Sequence, residues 1–475
     1  MKKYIKISTV LLVVLLASSC EDFLSPEPTS VSNAETFFES EADLELAAIA
    51  LYDAMQGVNS TSTNDNHGAQ VDFYVQEMLS DNTRSKNVGG EGESAQFESF
   101  TVEATNGIVD DYYRSNYQTI YRANVVLENL SVAGSAASRF EAEAKFVRAY
   151  AYFNLVRSFG DVPLVTSVIG IADTAIQFTR VDSDLIYDVI IDDLTTAVAG
   201  LDNTYKTRAS KAAAQALLAK VYLTTGTNYG LAQTLCESVM GEGFVLEPNF
   251  KDVFYSELNN EIIFAIDYVG DSSADSQNFS AEWLNAVGRT AGVNYTTQEV
   301  RDALDALGGD RTLYSYRQDP LLLSQFQVAK FIPNGDDTLG IAATSSNPTL
   351  AGNDLIVLRY ADVLLMHVEA IMAGQQSTSA QAALDSFEEV RLRAGLVGDA
   401  DGTITKQELL DERRVELAFE NQRFFDLVRF NVAQDVLSTF SDNNGYNFSV
   451  SDLLLPIPQR EINLSQGALG QNPGY

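Results

Sequence analysis

Three glutamates recur at every fourth position near the C-terminus: Glu412, Glu416 and Glu420. On a helix that spacing lines them along one face. Two carboxylates so placed can stand about 5–9 Å apart, the separation used in glycoside hydrolysis. Hydrolysis also requires one of them to keep its proton near neutral pH, hence a raised pKa. The local sequence opposes this. Arg413, Arg414 and Arg423 are adjacent, and Arg391 and Arg393 precede them. Opposite charges lower carboxylate pKa values. The glutamates therefore read as partners in a buried ion-pair lattice that fixes helix packing. Arg359 and Asp362, at i and i+3, read the same way. A glycoside hydrolase is kept as an alternative class, resting only on carboxylates not placed here.

Other catalytic chemistry lacks its parts. The chain has two histidines, His67 in a polar loop and His367 on an apolar helix. A Ser-His-Asp triad or a zinc site has almost nothing to build from. Neither GxGxxG nor P-loop spacing occurs. Cys236, in the apolar run 231–236, reads as a small buried hydrophobe. The segment 399–408 places Gly402, Ile404 and Glu408 at calcium-loop offsets, but its first ligand position is Val397. It reads as a turn feeding a helix, with Thr405 and Glu408 as a capping box. No catalytic residue, metal site or cofactor is assigned, with a structural calcium ion left open at this loop.

Sugar capture needs aromatic faces and planar polar groups. A ring that desolvates one face, on the order of 100 Å², contributes roughly 2–3 kcal/mol. Asn, Asp and Arg then fix hydroxyl orientation. Two polar, irregular segments hold such parts. The aromatic candidates are Phe73, Tyr74, Trp283, Tyr295, Tyr314 and Tyr316; the polar ones are Asn66, Asp72 and Asn294. Trp283, the single tryptophan, sits in a polar stretch with no helical stripe to join and heads the set.

These candidates must be carried by something rigid. Apolar periodicity predicts helices over 40–55, 109–130, 139–158, 182–200, 210–225 and 229–240, then over 355–372, 379–393, 407–419 and 423–438. Punctuation agrees: Asp182 or Ser183 opens one helix, Gly160 and Pro163 close another, and Gly226 separates a short hairpin. That Ala-rich hairpin resembles a tetratricopeptide unit, although no strict 34-residue period recurs. Residues 261–268 are apolar enough for a short strand. The fold class is mainly α: tetratricopeptide-like hairpins with little β and loop-rich insertions at about 57–105 and 270–355.

The 475 residues suffice for a large core, and 45% hydrophobic content is that of a globular protein. The net charge of -34 repels nucleic acid and anionic lipid, so neither is an expected partner. Lys2, Lys3 and Lys6 precede an apolar run, Ile7 to Leu16, too short to span a bilayer comfortably. It ends in Ala17-Ser18-Ser19-Cys20, the mark of a bacterial lipoprotein signal, with Ala17 where Leu, Val or Ile is usual. The expected organisation is a leader over 1–19, a tether over 20–34 lipidated at Cys20, and one domain over 35–475. Two or three acyl chains on Cys20 anchor stably where one would not.

Several segments in order resemble the SusD/RagB family. They are Tyr121-Arg122-Ala123-Asn124; Arg148 to Phe153 with Phe159 to Leu164; Arg208 to Leu223; Leu358 to Met366 with Glu369-Ala370; Glu412 to Glu420 with Arg423 to Arg429; and Pro456-Ile457-Pro458 with Gln471 to Tyr475. His367 and Val368 stand where Tyr and Ala are usual. The resemblance spans nearly the whole mature chain. It implies a mainly α fold and an outer-membrane lipoprotein facing the cell exterior. It further implies a binding protein that sits as a lid over a SusC-like TonB-dependent transporter and captures oligosaccharides, or in some members peptides. Arg311, after Gly309-Asp310, resembles a family turn motif and is read as structural.

Overall fold

The computed structural model describes residues 37–56, 67–85, 93–170, 172–283, 294–320, 322–398 and 401–475. The leader, Cys20, the tether, Asn66, and Asp399 and Ala400 of the candidate calcium loop lie outside them.

The early helices are α1 (Glu41–Gln56), α2 (His67–Gln76), α3 (Gly107–Glu128), α4 (Ala137–Phe159), α5 (Ser183–Gly200), α6 (Lys211–Thr225) and α7 (Tyr229–Met240). The later ones are α8 (Gln298–Leu307), α9 (Tyr360–Met372), α10 (Gln381–Arg393), α11 (Lys406–Glu416), α12 (Arg423–Arg429) and α13 (Ala433–Asn444). Helices α3 to α7 each pack on the next, α7 packs on α9, and α9 on α10. The result is a stack of hairpins.

Local chemistry sets the helix ends. Asn106 accepts from Ile108 N at 2.9 Å, Asp182 from Asp184 N at 2.9 Å, and Ser210 from Ala213 N at 3.1 Å. These side chains satisfy amides that the first turn leaves unpaired. Gly226 closes α6 at φ 64°, a left-handed cap that a β-carbon would strain. Small side chains make the stack tight. Ala212, Ala213, Ala214, Ala216 and Ala219 on α6 are wholly buried. At Gly200 an added β-carbon would meet Ala142 Cβ at 2.7 Å, so α5 rests directly on α4.

Short strands form two-stranded antiparallel ribbons. They are β1 (Thr83–Ser85), β2 (Val162–Pro163), β3 (Arg180–Val181), β4 (Ile262–Ile266), β5 (Asn294–Thr296), β6 (Tyr316–Gln318), β7 (Phe326–Val328), β8 (Leu355–Arg359), β9 (Ser377–Thr378) and β10 (Ile404–Thr405). The pairs are β1–β5, β2–β3, β4–β8, β6–β7 and β9–β10. Four segments differ from their sequence expectation. Residues 355–359 are strand rather than helix, because the run is buried and pairs with β4; the helix begins at Tyr360. The helix expected over 423–438 breaks at Phe430–Val432, where Asn431 has φ 58°. The 57–105 insertion carries α2, and the 270–355 insertion carries α8 and the β6–β7 hairpin.

The C-terminal glutamates lie in a buried lattice. Glu412 pairs with Arg311 at 2.6 Å and Arg391 at 3.1 Å. Glu416 pairs with Arg311 at 2.7 Å, with Arg359 at 2.6 Å and with Arg393. Glu420 meets Arg359 and Lys330, each at 2.6 Å, and Arg359 also holds Glu261 at 2.7 Å. Burial alone would raise the Glu416 pKa, but Arg393, Arg359 and Arg311 hold it well below the usual range. The adjacent arginines serve other acids. Arg413 binds Asp362 at 2.8 Å and Asp426 at 2.9 Å, while Arg414 and Arg423 both bind Asp81 at 2.8 Å. Arg359 and Asp362 are thus structural, but each with other partners. Thr405 and Glu408 form the expected capping box.

Arg359→Met should lower unfolding free energy at pH 7 by about 3–5 kcal/mol, since it leaves buried carboxylates under-compensated. Urea melts give the value. A loss below about 1 kcal/mol would show the lattice to be dispensable.

Candidate functional site

One turn fixes both walls of the main candidate cleft. The Asp81 carboxylate is clamped by Arg414 and Arg423 from the C-terminal helices. Its carbonyl accepts from Thr297 Oγ1 at 2.7 Å, and the Asn82 carbonyl accepts from Thr297 N at 3.0 Å. Asn82 Nδ2 donates to Glu77 at 3.0 Å, and Glu77 accepts from Asn421 N at 3.0 Å. First insertion, second insertion and C-terminus therefore meet at Asp81–Asn82. The adjoining strands β1 and β5 pair in the register Thr83↔Thr296, Arg84↔Tyr295 and Ser85↔Asn294.

Beside this ribbon lies an open cleft of about 470 Å³. Its rings are Tyr295, Phe326, Phe440 and Tyr446; its polar groups include Arg84, Arg301, Glu299 and Asn444. Arg301 is built in: Nη1 donates to the Thr296 carbonyl at 2.6 Å, Nη2 to Gln298 at 2.7 Å, and its guanidinium lies 4.3 Å over Phe326. Tyr446 donates to Glu98, whose other oxygen accepts from Ser85 N. Burial raises the pKa of Glu98, and burial together with the Glu98 contact raises that of Tyr446. Arg84 is different. Among the described residues its guanidinium makes no hydrogen bond or ion pair, and it is only partly buried. A cleft with ring faces, a fixed guanidinium and a spare one can stack a pyranose and bind its hydroxyls.

The candidates read from sequence are dispersed. Tyr295 lines the cleft. Asn294 is fully buried, and neither polar atom of its amide has a hydrogen-bond partner among the described residues. Tyr316 is part-exposed on the neighbouring hairpin, edge-on to Phe326 at 5.9 Å. Its hydroxyl donates to Asp305 at 2.6 Å, and burial with that bond pushes its pKa up to about 12. Tyr314 packs part-buried against the core. Trp283 is 0% exposed, edge-on to Phe73 at 4.3 Å and Phe419 at 6.0 Å. Phe73 and Tyr74 are buried on α2. Asp72 is buried beside Arg157 on a small cavity of about 40 Å³. Arg84, Arg301, Phe326 and Tyr446 were not singled out from sequence. Thr297, opening α8 as its N-cap, was the available signal for Arg301. No group of three or more His, Cys, Asp or Glu placed to hold a metal occurs among the described residues. No described helix is long and apolar enough to cross a membrane.

A helical stack with a loop-built cleft defines a class: a scaffold that presents a binding surface through its insertions. The sequence profile described as "SusD family" matches residues 325–475. One described as "Starch-binding associating with outer membrane" matches residues 22–223. SusD-like protein P2 of Formosa agariphila is 28% identical over 525 residues, across 100% of both chains. A solved structure described as a laminarin binding SusD-like protein superposes with TM-score 0.74 at 26% identity, covering 92% of this chain and 100% of that one. A SusD homologue from Bacteroides thetaiotaomicron shares the fold, with TM-score 0.76 at 20% identity, covering 93% of this chain and 98% of that one. The chain belongs to the SusD family.

Asp72 on α2 and Glu77 just after it provide a pH signature. Burial pushes both carboxyls up to about 7. The folded state then holds these protons more tightly than the unfolded state, so stability falls as pH rises from about 4 through 7. In Asp72→Asn that fall should be shallower, by at most about 1.4 kcal/mol per pH unit. Urea midpoints at pH 5 and pH 8 test this; parallel profiles would mean that Asp72 titrates normally.

Proposed function

We propose that this protein is a surface-exposed, lipid-anchored capture protein that binds a glycan nutrient and passes it unbroken to a partner TonB-dependent transporter. The cleft at β1–β5 carries the reading, because it sets the part-exposed rings of Phe326 and Tyr446 beside the spare guanidinium of Arg84. Rings remove sugar faces from water, and Arg84 supplies donors in a fork that matches paired hydroxyls. The laminarin-binding relative makes a β-glucan of that kind the first ligand to try. The leader with Cys20 supports a lipid anchor, and residues 35–475 form one domain in this reading. Delivery then requires only that ligand be held and released. A hydrolase needs an acid with a raised pKa paired to a second carboxylate. The glutamate row does not offer that, since Glu416 is held low among arginines.

Mature protein beginning after Cys20 should be retarded in gels containing laminarin and should release no new reducing ends from it. Arg84→Ala should weaken retention by roughly tenfold to a hundredfold, the loss of one or two charge-assisted hydrogen bonds. New reducing ends would overturn the non-catalytic reading. Silence across a polysaccharide panel would move the ligand class to peptides.

A further inference from the structure

A second, larger cavity opens between helices of the stack. It measures about 630 Å³ and is lined from α4, α5, α6, α9, α12 and the starts of α7 and α11. Its lining has three cations, Arg157, Lys406 and Arg429, against one carboxylate, Glu369. That balance is inverted relative to the chain, which has 65 acidic and 31 basic side chains. Arg429 is already neutralised, paired with Glu369 and with Asp426 at 2.9 Å. Arg157 is not. Its guanidinium is clamped between the rings of Phe153 and Phe425, each 3.9 Å away. Nε donates to the Phe153 carbonyl at 3.1 Å and Nη2 to Asn154 at 2.8 Å. Buried Asp72 on the neighbouring cavity interacts with it electrostatically, but no described carboxylate lies within ion-pair distance of it, and Nη1 makes no hydrogen bond among the described residues. Lys406 likewise has no described carboxylate partner; its ammonium lies 5.4 Å over Phe430.

Two cations without a direct ion pair, one fixed by stacking, are costly in a partly desolvated cavity unless an anion completes them. Tyr187, Tyr229, Phe425 and Phe430 add ring surface around them. We infer that this cavity is a second ligand site, selective for the carboxylate of an acidic saccharide such as a uronic-acid oligomer. Arg157 provides a preoriented guanidinium for the carboxylate, Lys406 a mobile second charge, and the rings a surface for the sugar. The strongly acidic exterior would repel a polyanion elsewhere, so the acid-poor lining localises it here. The site is separate from the cleft at β1–β5, and its assignment does not depend on which glycan fills that cleft.

The test is calorimetry of the mature chain with tetragalacturonate, laminaritetraose and a tetraglutamate peptide. Tetragalacturonate should bind saturably, more weakly as salt rises, and without competition from laminaritetraose. Lys406→Glu should weaken it roughly tenfold, the loss of one charge-assisted contact. An acid in the first turn of α11 suits the helix dipole, so this variant should fold. Arg84→Ala should leave it unchanged. Arg157→Gln should abolish it; if that variant does not fold, Lys406→Glu decides alone. Absence of saturable binding, indifference to Lys406→Glu, or loss on Arg84→Ala would overturn the site. Equal binding of tetraglutamate would overturn its saccharide selectivity.

Discussion

The structure depends on a charge lattice sealed from water. Arg359, from the end of β8, reaches Glu261 before β4, Glu416 at the end of α11 and Glu420 beyond it. Arg311 and Arg393 complete the carboxylates from two further directions. Taking such groups out of water costs several kcal/mol each, and their mutual attraction barely repays it. The lattice is therefore a poor source of net stability and a strong source of uniqueness. An alternative packing that shifts one helix leaves a buried ion without its partner. The segments that supply its charges are held in one arrangement.

That arrangement is what the loops need. The β1–β5 ribbon is three residue pairs long, too short to stand alone. It is placed because Asp81 is gripped by arginines from α11 and α12, which the lattice has already oriented. The cleft is thus positioned by charges that never touch it. Spare guanidinium and ammonium groups occur at its margin and in the second cavity, where the lattice has no carboxylate to offer.

The helical stack was legible because each helix carried its own signals. Tyr229–Met240 was bounded correctly, and Asp182, Ser210, Gly160 and Gly226 cap as their types require. Residues 355–359 misled because an apolar run buried on both faces has neither helical nor strand periodicity; only pairing with β4 decides it. The site was less legible for a related reason. Trp283 stands in a polar stretch, yet Phe73 and Phe419, more than a hundred residues away on either side, enclose it. Arg84 is ordinary in sequence. Its interest lies in what it does not contact, and an absence of partners is a property of three dimensions. The glutamate row shows the opposite case: its pairing with arginine was evident, but the identities of the partners were not.

The turn at Asp81 also sets an order of events. Its bonds to Arg414 and Arg423 join residues more than three hundred positions apart, so closing them is slow and waits for the whole chain. The N-terminal hairpins can dock as they emerge, since their contacts are between neighbours. The cleft cannot. It comes into being only when the last helices arrive, and a chain shortened before α12 would keep a stack of helices while losing the means to hold a ligand.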